Sequence, residues 1–161
     1  MVIVLFGVTG AGKTTVGQLL AKELGWAFYD ADAFHSPDNV EKMRQGIPLS
    51  DEDRRPWLAY LRKAIGEWVA REENAVLACS ALKESYRQYL RVSNAVRFVY
   101  LKGEPALIEK RLKKRSDHFM NPALLGSQFD TLEEPKGDVI IVNVNKSPSE
   151  IVREIRRALK I

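Results

Sequence analysis

The chain has 161 residues, of which 45% are hydrophobic and 29% are charged, and its formal net charge is +4. This composition is typical of a soluble globular protein, excludes an intrinsically disordered chain, and fits one compact domain. Because lysines and arginines are dispersed among acidic residues, the charge surplus favours small anionic ligands and argues against nucleic acid.

The chain has one cysteine, Cys79, inside an apolar stretch. No intrachain disulfide is possible, so a reducing compartment, the cytoplasm, is expected, with Cys79 as a core residue. The apolar residues 2–6 have no basic leader and run into a glycine-rich turn, which argues against a signal peptide. No segment approaches the roughly 20 apolar residues of a membrane span, so no membrane partner is expected.

Short apolar, β-branched runs alternate with helical patterns along the chain. The runs predict strands at residues 2–6, 27–29, 75–79, 96–101 and 139–142. Apolar residues at three- and four-residue spacing predict helices at residues 14–24, 53–71, 83–91, 105–115 and 149–159. This alternation predicts an α/β fold of three layers, a five-stranded parallel sheet with helices on both faces.

Two segments depart from the alternation, residues 31–52 and residues 116–137, and both are rich in polar and turn residues. Long connections of this kind often bind substrate or act as lids. We therefore expect a single domain over residues 1–161, with a substrate-binding segment at 31–72 and a lid at 116–128.

Residues 7–14 fit the pattern G-x-x-x-x-G-K-[ST], follow an apolar strand and precede a helix, which is the context of a phosphate-binding P-loop. Backbone N–H groups of the loop and the helix dipole would hold the phosphates of ATP. Lys13 is predicted to reach the β- and γ-phosphates, and the Thr14 hydroxyl to bind Mg²⁺. The predicted nucleotide-binding residues here are Gly7, Val8, Thr9, Gly10, Ala11, Gly12, Lys13, Thr14 and Thr15. The alternative is a glycine turn with a chance lysine.

The second predicted strand ends in Tyr29-Asp30-Ala31-Asp32, at the edge of the sheet where α/β proteins bind ligands. Alternate residues of an extended segment share a face, so both carboxylates should point to the phosphate site. We assign Asp32 to orient the acceptor hydroxyl and take its proton, and Asp30 to the metal. Helix capping or turn formation is the alternative for each aspartate.

The whole chain resembles a known family, the short P-loop gluconokinases. The resemblance rests on residues spread over nearly the full length: Asp32, His35, Asn39, Lys42-Met43, Gly46, Pro48-Leu49, Asp51, Asp53-Arg54, Pro56-Trp57-Leu58, Cys79 to Lys83, Tyr86-Arg87, Arg115, His118-Phe119-Met120, Gln128-Phe129, Leu132-Glu133 and Pro135. The chain departs from the family's Asp-Gly-Asp at Ala31, which would be strained if that position required a positive φ.

The resemblance implies transfer of phosphate from ATP to the 6-hydroxyl of D-gluconate, a shikimate-kinase-like fold and a homodimer. It also implies a sugar-acid site formed by Asp32, His35, Arg54, Lys83 and Gln128. These residue types suit the substrate, because a carboxylate needs cations and a polyol needs polar side chains. The alternatives are a solvated His35 and a surface ion pair of Arg54 with Asp51 or Glu52.

Two arginines, Arg111 and Arg115, lie on one face at the end of a predicted helix, directly before the lid. An arginine over the γ-phosphate neutralises charge that develops during transfer. Both arginines are predicted to bind the nucleotide and Arg115 to be catalytic, with a cationic helix end stabilised by the helix dipole as the alternative. The last strand-to-helix turn usually borders the base, so Asn145 and Pro148 are predicted adenine contacts, with a plain loop as the alternative.

The alternatives to a gluconokinase are another small-metabolite kinase of the same fold, such as one for shikimate, and a non-catalytic nucleotide-binding module. Shikimate kinases have Gly-Gly-Gly after the third strand, where this chain has Ser80-Ala81-Leu82. A GTPase is disfavoured because no aspartate is followed three residues later by glycine.

Overall fold

The structure is a computed structural model that describes residues 1–114 and 124–161. Its strands are β1 (Val2–Phe6), β2 (Ala27–Asp30), β3 (Ala75–Ala78), β4 (Val96–Lys102) and β5 (Ile140–Asn143). All five pair in parallel in one sheet, in the order β2-β3-β1-β4-β5. Each predicted strand is confirmed to within one residue at either end.

The helices are α1 (Lys13–Leu24), α2 (Pro37–Arg44), α3 (Asp51–Ala70), α4 (Glu84–Leu90), α5 (Pro105–Lys113), α6 (Leu124–Thr131) and α7 (Pro148–Leu159). The predicted helices correspond to α1, α3, α4, α5 and α7. The sequence did not predict α2 and α6, which lie inside the two irregular segments. A 3₁₀ turn, Ala31–Phe34, joins β2 to α2.

The central strand β1 is buried on both faces, since all five of its residues have no solvent exposure. Ile3 and Leu5 point to a core shared with α1, α5 and α7, whereas Val2, Val4 and Phe6 point to a core shared with α3 and α4. The three-layer α/β fold is thereby confirmed. Because all strands are parallel, their carboxyl ends meet at one edge, where ligands bind in such sheets.

Helix α3 begins with a capping box in which Ser50 Oγ accepts from the Asp53 N–H and Asp53 Oδ2 accepts from the Ser50 N–H, both at 3.0 Å. This cap starts the helix two residues before the predicted residue 53. The described residues contain no helix long and apolar enough to cross a membrane.

A close contact in α1 generates a stability prediction. A Cβ at Gly17 would lie 2.5 Å from Cε1 of Phe28 on β2 and 3.4 Å from Cδ1 of Leu5. We expect Gly17→Ala to lower the free energy of unfolding by about 1–3 kcal/mol, because the helix must move away from the sheet. Urea denaturation measures the change.

Gly66 in α3 provides the matched control, since a Cβ there meets nothing within 4 Å. Gly66→Ala should stabilise the protein by up to about 1 kcal/mol through helix propensity. Equal urea midpoints for the two variants would show that α1 does not need a glycine to pack on β2.

Candidate active site

The P-loop lies between β1 and α1, and its backbone requires glycine. Gly7 and Gly10 have φ values of 150° and 82°. A Cβ at Gly7 would lie 2.8 Å from the carbonyl oxygen of Leu101, and one at Gly10 would lie 2.9 Å from Cγ of Leu112. Side chains at these positions would force the loop off β4 and α5, so the turn that exposes the amides depends on both glycines.

The lysine of the P-loop is folded back on the loop. Lys13 Nζ donates to the carbonyl oxygens of Gly7 and Val8, each at 2.9 Å. The N–H of Thr9 donates to Oε1 of Gln128 at 2.6 Å, which ties the loop to α6. The loop amides and Lys13 therefore face a common cleft that α6 borders.

The predicted metal residues are brought together, because Thr14 Oγ1 donates to Asp30 Oδ2 at 3.3 Å. Asp30 also caps the 3₁₀ turn, since its Oδ1 accepts from the Asp32 N–H at 3.0 Å. The capping function that the sequence left open is therefore present, and the metal function of Asp30 stays a prediction. These hard oxygen donors suit Mg²⁺.

Asp32 and Asp30 line one pocket with the P-loop. Asp30 is the last residue of β2 and Asp32 lies in the 3₁₀ turn that follows, so the pair is not positioned by the strand alternation that the sequence suggested. Ala31 lies in that turn without a positive φ, so the alanine is not strained. Burial, and then the Asp30 charge, raise the pKa of Asp32 to about 6, while Lys13 acts in the opposite direction.

A second pocket adjoins the phosphate cleft. It is lined by Asp32, His35, Met43, Pro48, Leu49, Arg54, Trp57, Ser80, Leu82, Ser127, Gln128 and Thr131. We call it the acceptor pocket. Asp32, Ser80 and Gln128 line both pockets and so form the boundary between them. The predicted sugar-acid residues Asp32, His35, Arg54 and Gln128 are all present here.

The ring of His35 stacks on Trp57, with ring centroids 4.3 Å apart and planes 13° apart. Trp57 is itself fixed, because its Nε1 donates to the carbonyl oxygen of Ala31 at 2.7 Å. Burial and then the positive charge of Arg54 lower the pKa of His35 to about 4. The imidazole is therefore a structured, uncharged part of the pocket wall, not a solvated loop side chain.

Lys83 is placed differently from the sequence prediction. Its Nζ donates to both carboxylate oxygens of Asp51, at 2.8 and 2.9 Å, and Lys83 is not among the residues that line the acceptor pocket. Hydrogen bonds from Lys83 and Tyr86 hold the pKa of Asp51 below its usual value. Arg54 donates to the Tyr86 hydroxyl at 3.1 Å, and within the described part of the chain no ion pair joins it to Asp51 or Glu52. The role of Lys83 in substrate binding stays a prediction.

A third pocket of about 330 Å³ opens on the other side of the P-loop, a size typical of small-ligand sites. Thr15, Arg111 and Pro148 line it together with Lys146. Asn145 does not; its N–H donates to Asn143 Oδ1 at 3.0 Å. Of the two predicted adenine contacts, the structure brings only Pro148 to this pocket.

The predicted catalytic Arg115 lies outside the described residues, as do residues 116–123 of the predicted lid. The described remainder of that segment, from residue 124, belongs to α6. It carries Gln128 to the boundary between the phosphate cleft and the acceptor pocket.

Sequence reasoning assigned no role to Arg87, the most deeply buried charged residue among those described. It is 2% exposed and donates to the carbonyl oxygens of Ala81, Leu82 and Glu133, at 2.7, 3.0 and 2.7 Å. No local pattern predicts these three contacts. Ser80 was also missed, although its position directly after β3 places it at the ligand-binding edge.

Cys79 is buried, and its burial raises the pKa of the thiol to about 12. A thiol with that pKa is not a nucleophile at neutral pH. The expectation that Cys79 packs in the core is confirmed.

The sheet order, the P-loop and the adjoining acceptor pocket define a P-loop kinase of the shikimate-kinase type. The family model described as shikimate kinase matches residues 9–160. A gluconokinase of Gluconobacter oxydans is 46% identical over 96% of this chain and 89% of its own length. A gluconokinase of Arabidopsis thaliana is 44% identical over 96% of this chain and 89% of its own length.

A solved structure extends the likeness to three dimensions. The crystal structure of a gluconokinase from Sinorhizobium meliloti 1021 is 45% identical, with a TM-score of 0.85 over 98% of this chain and 90% of that one. The chain belongs to the gluconokinase family.

The hydrogen bond between Thr9 and Gln128 generates a binding prediction. Gln128→Glu keeps an acceptor for the Thr9 N–H but adds a negative charge beside the phosphates. We expect the dissociation constant of a non-hydrolysable ATP analogue to rise by about tenfold or more, because like charges at a few ångströms cost on the order of 1 kcal/mol or more. Calorimetry measures the dissociation constant.

The control is Gln88→Glu, which adds the same charge at an exposed position of α4. It should leave the dissociation constant unchanged. If the two variants bind the analogue alike, Gln128 does not lie next to bound phosphates.

Proposed function

We propose that the protein transfers the γ-phosphoryl group of ATP to the 6-hydroxyl of D-gluconate, giving 6-phospho-D-gluconate and ADP. The observation that carries the proposal is the boundary of Asp32, Ser80 and Gln128, which joins a phosphate-binding cleft to a second pocket that contains Arg54 and His35. A transferred phosphoryl group must pass between two such sites. The gluconokinases among the relatives supply the identity of the acceptor.

In the proposed reaction, the bond between the sugar-acid oxygen and the γ-phosphorus forms as the bond to the β-phosphate oxygen breaks. The Asp32 carboxylate lies at the boundary between the two pockets, where it would orient the hydroxyl and accept its proton. Lys13 would exchange its carbonyl partners for β- and γ-phosphate oxygens and stabilise the charge of the leaving ADP.

Magnesium fits the oxygen donors of Thr14 and Asp30, which lie within 3.3 Å of each other beside the P-loop. The described residues contain no cluster of three histidine, cysteine or acidic side chains able to hold a metal alone. The ion would therefore be bound jointly by these residues, water and the nucleotide, and would neutralise phosphate charge.

On the acceptor side, Arg54 would bind the carboxylate of gluconate, since a guanidinium matches a carboxylate in shape and charge. His35 and Gln128 would contact hydroxyl groups, and Arg111 and Pro148 would border the adenine. The binding roles predicted for Lys83 and Asn145 and the catalytic role predicted for Arg115 remain part of the proposal.

Arg115→Ala should lower turnover far more than it lowers nucleotide affinity.

The remaining expectations concern the whole protein. We propose one domain over residues 1–161, a cytoplasmic location and a homodimer. The homodimer is what the resemblance to the short P-loop gluconokinases implies. Size-exclusion chromatography with light scattering measures the molar mass of the protein directly. A monomer at micromolar concentration would contradict the homodimer.

An acceptor panel tests the reaction. ADP release should require D-gluconate, with at most a small fraction of that rate for other sugar acids, shikimate or nucleoside monophosphates, because only gluconate satisfies both ends of the pocket. A coupled enzyme assay follows ADP, and phosphorus NMR identifies the 6-phosphate. ADP release without an acceptor would instead indicate an ATPase or a switch.

Asp32→Asn tests the proposed base. The substitution keeps the shape of the side chain but removes the charge, so turnover should fall by about 10²–10⁴-fold. Binding of the ATP analogue should change little. An Asp32→Asn enzyme with near-normal turnover would falsify this role. Asp138→Asn, at an exposed residue before β5, is the matched control that removes the same charge at the amino end of the sheet, and it should keep full turnover.

A further inference from the structure

Asn39, near the start of α2, contacts the ring of His35 from outside the acceptor pocket. Asn39 is 7% exposed. Its Nδ2 lies 2.9 Å from the backbone carbonyl oxygen of Asp53 and 3.3 Å from Nδ1 of His35. A carbonyl oxygen only accepts hydrogen bonds, so the amide atom that faces Asp53 must be the nitrogen. The same nitrogen therefore presents an N–H group to His35.

This contact determines which ring nitrogen of His35 carries the proton. Facing a donor, Nδ1 must offer its lone pair, so a neutral ring has its proton on Nε2. A doubly protonated ring would place an Nδ1–H against the Asn39 N–H and lose this hydrogen bond. Among the described residues Nε2 has no hydrogen-bond partner, while His35 lines the acceptor pocket.

The positive charge of Arg54 acts in the same direction as the Asn39 contact. Arg54, from α3, lines the same pocket and disfavours a second positive charge. Asp32 also lines the pocket and is the carboxylate that would favour a charged ring. Asp53, whose backbone carbonyl accepts from Asn39, has its carboxylate paired with Lys42 at 3.0 Å and with the Ser50 N–H. The balance leaves the imidazole uncharged.

We propose that Asn39 is a positioning residue that holds His35 neutral with its proton on Nε2, so that the acceptor pocket offers an uncharged N–H donor beside the cationic Arg54. The two residues then have separate tasks in the pocket. Arg54 binds the carboxylate of the acceptor, and the Nε2–H of His35 donates to a hydroxyl oxygen. The assignment to a sugar-acid hydroxyl rests on the proposed function, whereas the state of the ring does not.

Nitrogen NMR on the full chain without ligands tests the ring state. Histidine is ¹⁵N-labelled, and the chain has only two histidines, so a His35→Gln variant identifies the signals of His35. We expect a neutral ring with the proton on Nε2 from pH 8 to below pH 5.5, since the pKa is lowered to about 4. A proton on Nδ1, or a titration midpoint near the ordinary value of 6.5, would overturn the proposal.

Asn39→Asp tests the contribution of the amide. A carboxylate accepts from a protonated Nδ1 and favours the imidazolium, so the pKa of His35 should rise by about one to three units. The matched control is Asn94→Asp, which adds the same charge at an exposed position before β4, at the amino end of the sheet. Its His35 titration should match that of the unmodified protein. Identical titrations in the two variants would show that Asn39 does not act on the ring.

Steady-state kinetics separate positioning from general structural damage. The KM for gluconate should show no His35 inflection between pH 6 and pH 8 in the unmodified enzyme. In Asn39→Asp it should gain one at the midpoint that NMR gives. A uniform loss of kcat with a flat KM profile would contradict the positioning role, even if the pKa rises.

Failure of this inference and failure of the proposed function give different results. A neutral Nε2–H ring in a protein that does not phosphorylate gluconate refutes the substrate and leaves the role of Asn39 intact. A gluconate kinase whose His35 titrates near 6.5 refutes the role of Asn39 alone. If Asn39→Asp does not fold, the titration of the unmodified protein still decides the question.

Discussion

The arrangement of the site depends on one buried guanidinium. Arg87 donates to carbonyl oxygens in the loop that follows β3 and in the segment that follows α6, and its Nη2 pairs with Glu84 at 2.9 Å. Its planar guanidinium donates to carbonyl oxygens of two chain segments at once. A lysine ammonium would do so with less geometric specificity. Ser80 lies in the loop that follows β3, and Gln128 lies in α6, shortly before the second segment; both side chains line the phosphate cleft and the acceptor pocket. The buried guanidinium, which also donates to the carbonyl of Leu82 in the acceptor-pocket wall, thus holds together the two elements between which a phosphoryl group would move.

Around that scaffold the charges of the site are distributed unevenly. The phosphate side has Lys13 and the amides of the P-loop, whereas the acceptor side has Arg54 and an uncharged His35. Lys83 is held by Asp51 at the surface. Among the residues that the structure describes, the acceptor pocket therefore has one cationic side chain, which suits one negative charge beside neutral oxygens. That balance matches a monoanionic polyol.

The sequence predicted the sheet and the P-loop well because both have strong local signals. Strands buried on two faces read as continuous apolar runs, and β1 has no exposed residue. It did not predict α2 and α6, because each has only eight residues and lies inside a segment rich in polar and turn residues. Asp30, at the end of β2, and Asp32, in the turn that follows, were found because ligands bind at the carboxyl ends of parallel strands. The Asp51–Lys83 pair joins residues 32 apart, and no local pattern reveals it. The family resemblance predicted a role for Lys83 but not its ion pair with Asp51.

The boundary of Asp32, Ser80 and Gln128 has a consequence for inhibitor design. Because the two pockets share three lining side chains, a single molecule that spans this boundary would occupy both. Joining an adenosine polyphosphate to a sugar acid makes the second binding event intramolecular, with an effective concentration on the order of millimolar for a short linker. Affinity would then come from tethering two weak ligands, and selectivity over other P-loop proteins would come from the sugar-acid half.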